Sequence, residues 1–224
     1  TGLSVPEYPV RVTYYPGDLD VWLGGVKILS DYNVTLRRNE VLDADGKAYV
    51  SMVGTSGANY ENHDLLSWSL KTPSYGFRQV FDFQGFADAT DKLTLGGDAE
   101  IKTDSRISPG GEVVRLRLDP SSANTHGTAS YNDKIFLENG FEAEYLVQFS
   151  EAVGGGADNL QFHVTQDKLA TVTAQTSPDF VVTFDTYKNA WDPSHSGLGI
   201  HNNGINHSVD LTQIAGLPFT GGSL

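Results

Sequence analysis

Apolar and polar positions alternate with a period of two along much of the chain. The clearest runs are Val10, Val12 and Tyr14; Val114, Leu116 and Leu118; Phe141, Ala143, Tyr145, Val147 and Phe149; and Leu160, Phe162 and Val164. Successive side chains of an extended backbone point to opposite sides, so each run predicts a half-buried strand. Turn-forming clusters separate the runs: YPGD at 15–18, LDADG at 42–46, SPGG at 108–111 and VGGGAD at 153–158. Gly, Pro and Asp in such clusters suit the tight bends of hairpins and meanders. A capped helical apolar period is not sustained anywhere, and only Ser208 to Leu217 leaves room for a short helical turn. The pattern therefore predicts an all-β chain, with two antiparallel sheets stacked face to face as a β-sandwich.

Length and composition sharpen this picture. A chain of 224 residues fits one large all-β domain, and it shows neither a fixed-period repeat nor a Pro/Ser-rich linker, so residues 1–224 read as a single domain. Its 24 Gly, 9 Pro, 11 Phe and 10 Tyr agree with many strands joined by tight turns. The formal net charge of -13 argues against nucleic acid as a partner, because phosphate-backbone binding draws its affinity from clustered Lys and Arg. No apolar run is long enough to span a bilayer, so no membrane insertion is expected. With no cysteine, any bound metal should be a hard cation held by oxygen. The first residues, TGLSVPEYPV, do not have the form of a signal peptide.

The richest candidate chemistry lies in VVTFDTYKNAWDPSHSGLGIHNN, residues 181–203. Asp185, Tyr187 and Asn189 alternate along a strand and so share a side, after which Ala190-Trp191-Asp192-Pro193 breaks the strand and brings back a second carboxylate. Two carboxylates and an amide suit Ca²⁺, which takes about 6 to 8 oxygen ligands. By spacing alone, the same residues also read as a polar strand end followed by a turn.

Recognition of a family pattern adds to that reading. VTFDTYKNAWDP followed by GLGI resembles the legume-type (L-type) lectin pattern V-E-F-D-T-[FY]-x-N-x-x-D-P with its later H-I-G-I. FADATDKLTLGGDAEI, VVRLRL with GTASYNDKI, GFEAEYLVQF, GGADNLQFHV and HDLLSWSL are similar to further strands of the same family, so the likeness spans nearly the whole chain. HDLLSWSL closes an ordinary family member but stands here at 63–70, which makes the chain look circularly permuted. A sandwich tolerates such a change where its old ends lie close together.

The resemblance implies a concanavalin A-like jelly roll that binds carbohydrate in the presence of Ca²⁺ without catalysis. Calcium ligands would be Asp185, the Tyr187 backbone oxygen, Asn189 and Asp192. Sugar contacts would come from Asp158, which follows a cis peptide after Ala157, from Asn189 and Tyr187, and from the loop of Gly57, Ala58 and Asn59. Glycans are the implied partners, met as an oligomer or as a module of a larger secreted or cell-surface protein, since shallow sites gain avidity from multivalency. The family's second, transition-metal site uses a Glu and a His where this chain has Thr183 and Gly197, so that site is expected to be absent or weak unless His195 substitutes.

Other features have plainer readings. Glu142 and Glu144 could pose as a catalytic carboxylate pair, yet they alternate with Phe141, Ala143 and Tyr145 and so belong to the polar side of one strand. Asp43, Asp45 and Gly46 lack the later ligands of a calcium loop and read as a hairpin turn. His63, His126, His163, His201 and His207 show no metal-binding spacing, and Trp68 reads as core. Two alternatives to a lectin stay open: a glycoside hydrolase on a related sandwich, although the E-x-D-x-x-E strand of such enzymes is missing, and a calcium-stabilised adhesion module without sugar binding.

Overall fold

The structure, a computed structural model, describes residues 6–73, 76–104, 113–173, 175–187, 197–202 and 205–211. In chain order the strands are β1 (Glu7–Tyr15), β2 (Asp18–Leu23), β3 (Val26–Tyr32), β4 (Lys47–Thr55), β5 (Tyr60–Pro73), β6 (Phe77–Phe83), β7 (Leu93–Gly97) and β8 (Glu100–Asp104). They continue as β9 (Val113–Asp119), β10 (His126–Tyr131), β11 (Ile135–Phe136), β12 (Phe141–Val153), β13 (Asn159–Thr165), β14 (Asp179–Asp185), β15 (Gly197–Asn202) and β16 (Ile205–Asp210). They form two antiparallel sheets of eight strands each, a β-sandwich. One sheet runs β3-β2-β1-β12-β5-β9-β8, with β6 also on β5; the other runs β16-β15-β14-β13-β4-β10-β7, with β11 on β4. Among the described residues no helix is long and apolar enough to cross a membrane.

Alternation does what the sequence predicts where one face of a strand is wet. Val10, Val12 and Tyr14 of β1 and Phe141, Ala143, Tyr145 and Phe149 of β12 are all buried, and Arg11 and Thr13 between the former are not. Aromatic rings bridge the two sheets: Phe162 of β13 lies 5.8 Å from Phe141 and 6.1 Å from Tyr145 of β12. Trp68 is fully buried and meets Phe81 edge-on at 4.9 Å. The sheets approach closely at Gly54, where a Cβ would stand 2.9 Å from the Leu118 Cβ and 3.0 Å from the Asp119 Cβ.

In β5, β9 and part of β12 the simple pattern fails. Asp64, Arg115 and Gln148 are almost wholly buried. Asp64 alternates with the inward-facing His63 and Leu65, so it lies on the opposite face of the sheet. There it takes hydrogen bonds from Arg115 Nη1 and from Arg117 Nε and Nη2, all at 2.8 Å, and Gln148 Oε1 accepts another from Arg115 at 2.8 Å. Burial of this face is possible because the charges satisfy one another.

The room left for a helical turn at 208–217 is used otherwise: Ser208 to Asp210 belong to β16, held by pairing with β15 through Gly199↔Ser208 and Gly197↔Asp210. Leu211 follows the strand, and 212–217 lie outside the described residues. A short 3₁₀ turn occurs instead at Leu169–Thr171.

Candidate functional site

The chain crosses from one sheet to the other between β12 and β13, and that crossing is the VGGGAD segment. Gly154, Gly155 and Gly156 all have positive φ, which glycine adopts without steric cost. The Ala157–Asp158 peptide that follows is cis, as expected at that bond. Asp158 N–H donates to Thr55 O at 2.8 Å, and Asp158 O accepts from Thr186 N–H at 3.0 Å. These two bonds tie the crossing to the ends of β4 and β14.

Register explains why these ends meet. Asn159 pairs with Thr55 on one side and with Asp185 on the other, and Asp185 in turn pairs with Gly197. Thr55, Asn159, Asp185 and Gly197 therefore form a row along one end of the sheet, and the loops leaving it share the same rim. Thr55 Oγ1 donates to Asn159 Oδ1 at 3.1 Å within that row. Asp185 Oδ1 accepts the Tyr187 N–H at 2.9 Å, which turns the chain as it leaves β14.

The loop between β4 and β5 closes the other side. Gly57 O accepts from Asn124 N–H at 2.9 Å, and Ser56 Oγ donates to Ser122 O at 2.8 Å, so the loop is pinned to the β9–β10 connection. A Cβ on Gly57 would lie 3.0 Å from Asp158 Oδ2, so the carboxylate rests against this glycine. Ala58 is exposed, and Asn59, Asp158 and Tyr187 are half-buried. Asn59 also lies against Gly154 of the crossing.

Of the residues singled out in the sequence, Asp158, Ala58, Asn59, Asp185 and Tyr187 thus lie at one end of the sandwich: the crossing and the chain leaving β14 are hydrogen-bonded through Asp158 and Thr186, and the 57–59 loop lies against Asp158 and Gly154. Asn189, Asp192 and His195 lie outside the described residues. Thr183 of β14 pairs with Gly199 of β15, and Gly197 stands opposite Asp185.

One residue that sequence reasoning passed over anchors this end. Glu61 is 1% exposed, and its Oε1 accepts the Thr186 hydroxyl at 2.7 Å. A Cβ on Gly156 would come within 2.6 Å of its other carboxylate oxygen. Glu61 therefore lies beneath both the glycine crossing and the turn that leads to Tyr187. Its signal in the sequence is parity: it alternates with His63 and Leu65, both inward-facing, so it is an acid at a core position. Beyond it, His63 Nε2 lies 3.5 Å from Glu61 Oε1.

Elsewhere the plainer readings hold. Asp43 Oδ1 accepts the N–H groups of Asp45 and Lys47, as in a tight turn, and Glu142 and Glu144 both pair with Lys71. Asp18, Asp20 and Asp31 bring carboxylate oxygens within 4.8 Å of one another. Asp20 is already committed to Lys27 at 2.7 Å and to the Asp31 N–H at 3.0 Å, so this group carries little argument for a metal. The sequence matches no protein-family model and no curated protein.

Proposed function

We propose that this chain is a calcium-dependent lectin domain of the legume type, which binds glycans and leaves them chemically unchanged. The observation that carries the reading is the gathering on one rim of a carboxylate residue, an aromatic residue and a loop whose Ala58 is exposed, from segments remote in sequence: Asp158, Tyr187 and residues 57–59. A carboxylate accepts hydrogen bonds from neighbouring sugar hydroxyls, and a tyrosine ring offers a flat apolar face to the C–H side of a pyranose. Asn59 and the backbone of the 57–59 loop add further polar contacts.

Asp185 and the Tyr187 backbone oxygen, with Asn189 and Asp192, are the proposed Ca²⁺ ligands, an all-oxygen set of the kind the ion prefers. Calcium would fix the loop after β14 and so hold Tyr187 and Asn189 toward the sugar. Under this reading the strand order is a circular permutation, with HDLLSWSL in β5 rather than at the end. The domain would serve as a module of a secreted or cell-surface protein, gaining avidity from several copies.

Retention on a glycan array in Ca²⁺, lost in EDTA and restored by added Ca²⁺, is the expected result. Asp158→Ala should abolish retention while leaving the circular dichroism spectrum unchanged. Equal retention with and without Ca²⁺, or full retention by Asp158→Ala, overturns the reading.

A further inference from the structure

At the other end of β14 from Asp185, three ligand-type side chains share the outer face of the sheet. Cross-strand pairing sets His163 of β13 and His201 of β15 on either side of Val181. Asp179 lies on the same face of β14, two residues before Val181, and so sits diagonally between the two imidazoles. Spacing along the chain conceals this grouping, because its members come from three different strands.

His163 is 7% exposed, and its Nε2 lies 2.7 Å from Gln161 Oε1. That oxygen can only accept, so Nε2 carries the proton and Nδ1 of the neutral ring is a bare lone pair. Burial keeps the ring neutral at pH 7. Nδ1 has no hydrogen-bond partner among the described residues, and it faces Asp179 Oδ2 at 3.7 Å. The other oxygen of Asp179 lies 3.2 Å from His201 Nε2. The Asp179 side chain is 14% exposed, and among the described residues no Lys or Arg pairs with it. A buried lone pair aimed at a carboxylate is repulsive, and a cation placed between them makes ligands of both.

The donor set selects the cation. Two imidazoles with one carboxylate suit a divalent transition metal, whereas Ca²⁺ and Mg²⁺ take oxygen. Ligand atoms around a tetrahedral Zn²⁺ stand about 3.4 Å apart, close to the separations from Asp179 to each ring. Gln161 holds the far nitrogen of His163, the outer contact that orients a metal-binding imidazole. Among the described residues only Asp18, Asp20 and Asp31 already bring three ligand atoms within 4.8 Å of one another, so His201 must turn inward to complete the set. Its side chain is 39% exposed, which permits that rotation.

We propose that His163 Nδ1, Asp179 and His201 Nε2 bind a divalent transition-metal ion such as Zn²⁺, with water completing the coordination. The ion would clip β13, β14 and β15 together. The site shares no residue with the Ca²⁺ set and uses neither Thr183 nor Gly197, so it stands or falls independently of the lectin reading.

The test is calorimetric titration of the full chain with Zn²⁺, after treatment with EDTA and dialysis, in buffer that holds excess Ca²⁺. One Zn²⁺ per chain with a micromolar or tighter Kd is expected. Nitrogen NMR should show the His163 Nδ1 signal shifting as Zn²⁺ is added. His201→Ala and Asp179→Asn should each weaken Zn²⁺ binding by at least about tenfold, and Gln161→Leu by about tenfold, with the circular dichroism of the metal-free variants unchanged. Asp185→Asn should leave Zn²⁺ binding as it is. Binding weaker than about 100 µM, an unmoved His163 Nδ1 signal, or indifference to both His201→Ala and Asp179→Asn would overturn the proposal. Loss of binding in Asp185→Asn but not in Asp179→Asn would place the ion at the rim and overturn it too.

Discussion

His63 Nδ1 lies 3.4 Å from Asp119 Oδ2, with both side chains fully buried between the sheets. Glu61 flanks the other ring nitrogen at 3.5 Å, and the Phe149 ring meets the imidazole edge-on at 5.4 Å. Burial alone would lower the imidazole pKa, but Asp119 and Glu61 outweigh it and hold His63 above its ordinary 6.5. A raised folded-state pKa gives stability that is complete below the unfolded value and is lost as pH rises through the folded one. Urea unfolding should therefore show stability falling as pH climbs above 6.5, and His63→Gln should flatten that fall. An unchanged alkaline slope in His63→Gln would assign the effect to other groups.

His163 should act on the opposite limb. Burial, aided by His201 and His126 and opposed by Asp179, pushes it down to about 4. Its Nε2 is 2.7 Å from Gln161 Oε1, and its Nδ1 faces Asp179 at 3.7 Å. Between pH 6.5 and about 4 the unfolded chain then binds a proton that the folded chain does not, so stability should fall with acidification across that window. The slope from this one group is at most about 1.4 kcal/mol per pH unit. Proton NMR of the imidazole should show no titration of His163 through pH 6.

These buried ionisable groups mark where the sequence stops being legible. Strand β1 and the first half of β12 follow alternation because one face is wet and the other dry, and β13 does so only as far as Phe162, since His163 and Thr165 on its other face are buried. Phe141 and Tyr145 could be assigned to the core directly. Asp64, Arg115 and Glu61 could not, since a charged residue reads as exposed until its partner is known, and Asp64 and Arg115 meet only through pairing of β5 with β9. Ser208 to Asp210 lack an apolar rhythm and become a strand through the neighbouring β15. At the rim, local spacing predicts that Asp185, Tyr187 and Asn189 share a side and that Asp192 returns toward them, and of these the described residues include Asp185 and Tyr187. The approach of Gly57 to Asp158 depends on β4 lying beside β13, which the chain order does not reveal.

The Asp64 cluster carries a large stability prediction. Asp64→Ala would leave Arg115 and Arg117 without their shared carboxylate in a buried setting, and loss of one partner from a buried ion pair costs about 3 to 5 kcal/mol. Asp64→Asn keeps one acceptor oxygen and should cost less. The midpoint of urea unfolding, at constant slope, gives both values. A loss below about 1 kcal/mol for Asp64→Ala would mean that water reaches the guanidinium groups readily.

Gly57 gives a prediction that separates recognition from folding. Its φ is not in the left-handed region, so Ala can adopt the same backbone without strain. The added Cβ would stand 3.0 Å from Asp158 Oδ2, and the carboxylate must yield by a few tenths of an ångström. Asp158 is held through its backbone by Thr55 and Thr186, so the displacement should fall on the side chain and not on the crossing loop. Gly57→Ala should then weaken glycan binding by roughly fivefold to tenfold, about 1 kcal/mol, with little change in the unfolding midpoint. Gly57→Val, bulkier at the same place, should weaken it further. Calorimetry with the best array ligand, beside thermal unfolding of the same variants, checks both halves. Undiminished affinity in Gly57→Val would mean that the position of the Asp158 carboxylate does not govern binding.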